Sequence, residues 1–252
     1  MTTLQIIGAS SAVPDPGSAT SCYLVRGQGI TVLLECGHGA VGALRKYADP
    51  AELDAVLVSH LHPDHCLDLV ALRNHLVVHG LPKLPLLLPV NGPAVLRALG
   101  EALGLGAGYF DPAFDVRTYT AGLPFALGDL TVDAVRTRHN TLANALRLTD
   151  GAGRRLVFSS DTGWFPELAE LATGADLLLI EVTDPVTPDH GPRWHLCPRD
   201  AARVIAAARP GRALLTHYVA GAGDRILADT AAGCPGTPVR LAIEGETHHV
   251  GA

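Results

Sequence analysis

The sequence predicts a layered α/β fold, with β-sheets packed on each other and covered by helices. Three observations predict it. Short apolar runs rich in strand-forming residues recur between turn residues, and segments with apolar residues at three- and four-residue spacing lie among them. The strand-like runs dominate first and helices are interspersed afterwards.

Taken in order, strands are expected at residues 4–7, 23–25, 30–34, 55–58 and 86–88. They continue at 130–135, 142–148, 156–158, 177–182 and 213–216. Helices are expected at 40–47, 67–78, 93–103, 166–172 and 198–208. Pro93, Pro166 and Pro198 stand at the openings of three of them, where a missing N–H costs nothing. The glycine-rich stretch 104–112 reads as a loop inside one domain. No repeat or linker divides the chain, so residues 1–252 are expected to form a single domain.

Apolar residues make up 48% of the chain and aromatics only 5%, so the core must be aliphatic. The formal charge of −6 argues against a broad basic surface that wraps nucleic acid. It does not oppose a small phosphate substrate, because bound metal ions reverse the local field. Cys22, Cys36, Cys66, Cys197 and Cys234 are odd in number and form no CxxC pair, which points to a reduced, intracellular protein with cysteines as small core residues. The N-terminus has no basic leader and no apolar run spans a bilayer, so the expected location is cytoplasmic, without membrane contact.

The segment richest in chemistry is Ser59-His60-Leu61-His62-Pro63-Asp64-His65, where an apolar strand gives way to a helix. His60 and His62 are two apart, so an extended backbone aims both imidazoles the same way. Asp64 and His65 stand at the helix entrance. An isolated Asp64 would be an ordinary helix cap, but three histidines and an aspartate converging on one turn have few structural explanations. Four ligating groups in six residues can serve two adjacent metal sites.

This segment resembles the HxHxDH signature of the metallo-β-lactamase superfamily, and the resemblance runs through nearly the whole chain. It implies a four-layer αββα sandwich, the metallo-β-lactamase fold. His139 after one strand, Asp161 in Ser159-Ser160-Asp161-Thr162-Gly163 after another, and His217 at the end of Leu214-Leu215-Thr216 match the remaining family positions. Carried over, His60, His62 and His139 would hold one metal, Asp64, His65 and His217 the other, and Asp161 would bridge. Two divalent ions are implied, with Zn²⁺ the best fit to mixed imidazole and carboxylate ligands and Mn²⁺ or Fe²⁺ as alternatives. They would activate a bridging water to hydroxide and clamp a phosphodiester during in-line attack. Glu35 departs from the family's usual Asp-x-Gly, standing in Glu35-Cys36-Gly37-His38; Glu35 would support the metal ligands through its longer side chain. His38 is either a further supporting group or an exposed loop residue.

The ligand set prunes the superfamily. His62 stands where flavodiiron-type proteins carry Glu, and Asp161 counts against antibiotic hydrolysis. Glu181-Val182-Thr183 resembles the HEAT-like motif of tRNase Z, and Trp194-His195-Leu196-Cys197 resembles its HST-like motif. The resemblance implies that His195, oriented by Glu181, protonates the leaving alkoxide, and Asp64 joins them as a catalytic residue. The basic arm with which tRNase Z grips tRNA is missing from the sequence, so an extended nucleic acid is disfavoured as partner. The chain is similar to the bacterial atypical class II cyclic-AMP phosphodiesterases, in residues 42–50 and 60–69 and around Asp161 and His217. That similarity implies hydrolysis of a small phosphodiester such as a 3′,5′-cyclic nucleotide. A tRNase Z-type endonuclease, a glyoxalase-II-like thioesterase and a catalytically silent binding protein are the alternatives. Tyr109, Phe110, Trp164 and Trp194 are candidates for stacking on a base or for plain packing. His75, His79, His190, His248 and His249 have no motif context. A homodimer is compatible with the fold, but nothing in the sequence identifies an interface.

Overall fold

The computed structural model describes residues 1–185 and 193–251. Its described strands form two sheets of seven. The first runs in the order β14 (Thr247–His249), β1 (Thr3–Gly8), β2 (Cys22–Arg26), β3 (Thr31–Leu34), β4 (Ala55–Leu57), β5 (Leu84–Pro89) and β6 (Phe114–Tyr119). The second runs β13 (Val239–Leu241), β12 (Ala213–Thr216), β11 (Leu177–Glu181), β10 (Arg155–Phe158), β9 (Asn144–Thr149), β8 (Leu130–Arg136) and β7 (Phe125–Leu127).

Alternation of side chains along each strand makes the layers. On β3, Val32 and Leu34 join the cluster between the sheets, and Leu33 points to the outer one. On β11, Leu177 and Leu179 face inward while Leu178 and Ile180 face out. The outer face of the first sheet is covered by α1 (Ala40–Leu44), α3 (Leu69–Val78) and α4 (Gly92–Ala102), with the short α2 (Pro63–Cys66) at its edge. That of the second is covered by α5 (Pro166–Ala172), α6 (Pro198–Ala208) and α7 (Gly223–Gly233). The result is the four-layer αββα sandwich that the family resemblance implies. Tyr23 ties the two sheets together: its ring meets Phe158 at 5.4 Å and its hydroxyl lies 2.7 Å from Thr216 Oγ1. All five cysteines are buried and no disulfide joins them.

Strands β6, β7, β13 and β14 and helix α7 lie outside the sequence expectation. β6 sits at a sheet edge, where Asp115 and Arg117 are exposed and pair with each other at 2.6 Å, so it forms no continuous apolar run. The other three strands have only three residues each, and α7 buries only Ile226 and Thr230. The helix expected at 40–47 ends at Leu44, and that at 67–78 begins at Leu69.

β3 through β6 pair in parallel, as do β10 through β13. Parallel strands bring their C-terminal ends to one edge, and the connections leaving that edge are where such sheets place functional groups. No helix among the described residues is long and apolar enough to cross a membrane. His190 lies outside the described residues.

Candidate metal centre

The site grows from the ends of five strands. After β4 the chain runs on to His62, whose φ and ψ of −72° and 151° are extended. Pro63 then opens α2, which carries Asp64 in its first turn and His65 in its last. Asp64 does not cap this helix; its Oδ2 lies 3.1 Å from His217 Nε2, at the end of β12. The connection after β8 brings His139, tied to the Asp161 loop by the Gly163 amide donating to the Arg138 carbonyl at 2.8 Å. Gly37 allows the β3 connection to pass close by: a Cβ there would lie 2.0 Å from the Asp64 carbonyl oxygen.

Donor atoms of His60, His62, His139 and Asp161 lie within 4.8 Å of one another, and so do those of Asp64, His65, Asp161 and His217. Asp161 belongs to both groups and divides its oxygens between them. Its Oδ2 is 3.7 Å from His60 Nε2 and 3.8 Å from His139 Nε2. Its Oδ1 is 3.3 Å from His65 Nε2 and 3.6 Å from His217 Nε2. The structure therefore brings all seven candidate ligands together. His60 Nε2 and Asp161 Oδ1 are buried without any hydrogen-bond partner, an arrangement that costs free energy unless something else satisfies them. A cluster of imidazoles and carboxylates turned toward common points suits divalent metal ions.

The outward nitrogens are held in a matching way. His65 Nδ1 donates to Glu35 Oε2 at 2.9 Å, and His139 Nδ1 donates to the Trp194 carbonyl at 3.0 Å. His60 Nδ1 meets Ser59 Oγ at 3.0 Å, and that hydroxyl accepts from Ser160 Oγ at 2.7 Å. Such partners fix the tautomer and ring orientation of a metal-binding histidine. Glu35 was anticipated from the sequence. Ser59, Ser160 and the Trp194 carbonyl were not, since hydroxyls and main-chain carbonyls carry no distinctive spacing.

Electrostatics follow from the crowding. Burial works to raise the Asp161 carboxyl, but the imidazoles of His217 and His65 outweigh it and hold it well below the usual range. Asp64 is likewise opposed by burial yet brought down to about 2 by His217 and His65. Burial pushes Glu35 up, in part offset by the His65 hydrogen bond. Burial and the neighbouring His65 push His60 well down, so it is neutral and ready to coordinate.

Beside the cluster stands a second pair. Glu181 ends β11 fully buried, and its Oε1 accepts from the Thr162 amide at 2.8 Å and from His195 Nδ1 at 3.0 Å. His195 Nδ1 is also 4.0 Å from Asp161 Oδ2. Burial would lower the His195 pKa, but Glu181 and then Asp161 outweigh it and raise it to about 9. An imidazolium held by Nδ1 keeps its Nε2 proton for transfer. Three of the four non-glycine residues with positive φ among the described residues are Glu35, Ser160 and His217, at 63°, 53° and 55°. Backbone strain is thus concentrated around the cluster, as at functional sites generally.

Of the candidate stacking rings, Tyr109 and Phe110 pack in the cluster beneath α3 and α4. Trp164 lies under the Arg203 guanidinium at 3.6 Å, and Trp194 is 39% exposed next to His195. The His38 carbonyl accepts from the Thr20 amide at 3.2 Å, and its ring makes no hydrogen bond to the cluster. His75, on α3, faces Asp49 and His79, and His248 faces Glu246.

Comparison with known proteins agrees with this geometry. The beta-lactamase superfamily domain family matches residues 31–218. An uncharacterized protein of Mycobacterium leprae is 35% identical, across 99% of this chain and 89% of that protein. A ribonuclease Z of Mycobacterium bovis is 30% identical, across 88% of each. The solved structure of the metallo-beta-lactamase fold protein YhfI from Bacillus subtilis superposes with a TM-score of 0.85 at 24% identity, covering 99% of this chain and 100% of that one. The chain thus belongs to the beta-lactamase superfamily domain family, as a hydrolase of the metallo-β-lactamase fold in the branch that holds ribonuclease Z.

Proposed function

We propose that this protein is a two-metal phosphodiesterase that opens a 3′,5′-cyclic nucleotide such as cyclic AMP. His60, His62 and His139 would hold one ion, and Asp64, His65 and His217 the other, with one oxygen of Asp161 toward each. Zn²⁺ suits the donors best, with Mn²⁺ or Fe²⁺ as alternatives. When bound, the ions supply charge stabilisation for a phosphoryl group and lower the pKa of water.

The observation that carries the reading is the Glu181–His195 pair at 3.0 Å, set 4.0 Å from the shared Asp161 carboxylate. Esters with good leaving groups have no need of an acid. A ribose oxygen does, because an alkoxide leaves poorly until it receives a proton. Glu181 fixes the His195 ring through Nδ1 and keeps it charged, and His195 delivers the Nε2 proton to the departing oxygen. Asp161 remains ionised beside it, and its charge favours the imidazolium before transfer.

The small-substrate reading draws support from the compact surroundings. β5 ends at Pro89 and α4 begins at Gly92, so no arm leaves the sandwich there. The second reading is RNA-processing endonuclease activity of the tRNase Z type, favoured by the 30% identity to a ribonuclease Z. The deciding experiment presents 3′,5′-cyclic AMP and a precursor tRNA to the purified, metal-loaded protein. Cyclic-nucleotide turnover without tRNA cleavage is expected; tRNA cleavage alone would install the endonuclease reading instead.

A further inference from the structure

Thr183 lies two residues beyond Glu181, and the reading above leaves it without a task. Its hydroxyl has three close neighbours: Glu181 Oε2 at 2.7 Å, His217 Nδ1 at 2.7 Å and the His217 carbonyl oxygen at 2.9 Å. A hydroxyl owns one proton, and both of these oxygens can only accept. The threonine proton therefore goes to an oxygen, and in the contact with His217 the imidazole must be the donor. His217 is thereby tied through Nδ1, which leaves Nε2 as the nitrogen that would bind an ion. Nε2 faces the rest of its group, 3.1 Å from Asp64 Oδ2, 3.3 Å from His65 Nε2 and 3.6 Å from Asp161 Oδ1.

The same residue anchors the acid pair. The Thr183 amide donates to Glu181 Oε2 at 3.0 Å, so amide and hydroxyl together occupy one carboxylate oxygen. The other oxygen is left for the Thr162 amide and His195. His217 also needs fixing on its own account, because it sits at φ 55° immediately after β12, in a region that non-glycine residues seldom adopt.

We propose that Thr183 is a positioning residue that couples the two halves of the site. It sets the His217 tautomer for the Asp64–His65–His217 group and steadies the carboxylate that orients His195. The proposal rests on the phosphodiesterase reading above.

The test compares Thr183→Val, which keeps the branched shape but loses the hydroxyl, with Thr183→Ser, which keeps the hydroxyl. Each protein is equilibrated with zinc, dialysed, and its metal content measured. In Thr183→Val, zinc should bind the Asp64–His65–His217 group about 10–100-fold more weakly, so content falls from two ions per chain toward one; Thr183→Ser should retain two. At saturating zinc, Thr183→Val should also lose more activity on cyclic AMP than on bis(p-nitrophenyl) phosphate, with serine restoring the ratio. Should the valine variant not fold, ¹⁵N-correlated NMR of the zinc-loaded wild type still decides, since His217 must then show a proton on Nδ1 and none on Nε2. A proton on Nε2, or a serine variant as impaired as valine, overturns the proposal. A wild type with two ions and a Thr183→Val protein indistinguishable from it overturns this proposal alone. A wild type that binds no ion overturns the reading of the site and this proposal with it.

Discussion

Glu35 Oε2 receives the Nδ1 proton of His65 at 2.9 Å, while Oε1 receives the Ser59 amide at 2.6 Å. One fully buried carboxylate thus joins the residue before the His60–His62 pair to a member of the Asp64–His65–His217 group. Glu35→Ala should leave both donors buried and unpaired, costing about 1–3 kcal/mol for each. It should also weaken divalent-metal binding about 10–100-fold. Chemical denaturation and zinc titration check the two halves separately; a variant as stable as wild type with unchanged zinc affinity would remove Glu35 from this role.

Asp161 is the one side chain shared by both donor groups. Asp161→Ala should therefore lose metal from both, where loss of any other ligand empties chiefly one. Activity should fall by about 10³-fold or more, since several kcal/mol of charge stabilisation disappear together. Elemental analysis showing two retained ions would defeat the assignment of this residue as bridge.

His195→Ala separates leaving groups. Turnover of a cyclic nucleotide should slow by about 10²–10⁴-fold. Bis(p-nitrophenyl) phosphate, whose leaving group needs little protonation, should be affected far less. Equal losses on both substrates would refute the acid role.

The pH dependence follows from the same residue. Glu181 and Asp161 hold the metal-free His195 pKa at about 9, so the acid form predominates at neutral pH and is lost as pH rises through that value. Nearby cations favour the neutral imidazole and draw the value down, so the alkaline limb of the loaded enzyme is expected at or below about 9. Cyclic-nucleotide turnover should fall about tenfold per pH unit above that limb, and the limb should vanish in His195→Ala measured on the same substrate. A rate that climbs steadily to high pH in the wild type would contradict it.

Gly37→Ala tests a close approach instead of a charge. The added methyl would meet the Asp64 carbonyl oxygen at 2.0 Å and Thr20 Oγ1 at 2.2 Å. The carbonyl cannot move without shifting the segment that carries Asp64 and His65. A loss of about 1–3 kcal/mol of stability is expected, together with weaker metal binding. A thermal melt superimposable on wild type would show that the loop yields freely.

The sequence by itself determined the features whose cause is local. Side chains alternate along a strand, so the apolar runs that became β3, β10 and β11 declared both their extended form and their two buried faces. His60, His62, Asp64 and His65 fall within six residues, where an extended stretch entering a helix leaves few directions for them to point. Weakly patterned elements escaped: β6 has the exposed Asp115 and Arg117 among its apolar residues and forms no apolar run, and α7 buries too little to show an apolar stripe. Only the tertiary structure decided which nitrogen of each histidine faces inward. That choice depends on the Trp194 carbonyl, 55 positions from His139, and on the Thr183 hydroxyl, 34 positions from His217. A hydrogen bond between distant residues leaves no periodic trace in the chain; it exists only after the strand ends of two sheets have met at one edge.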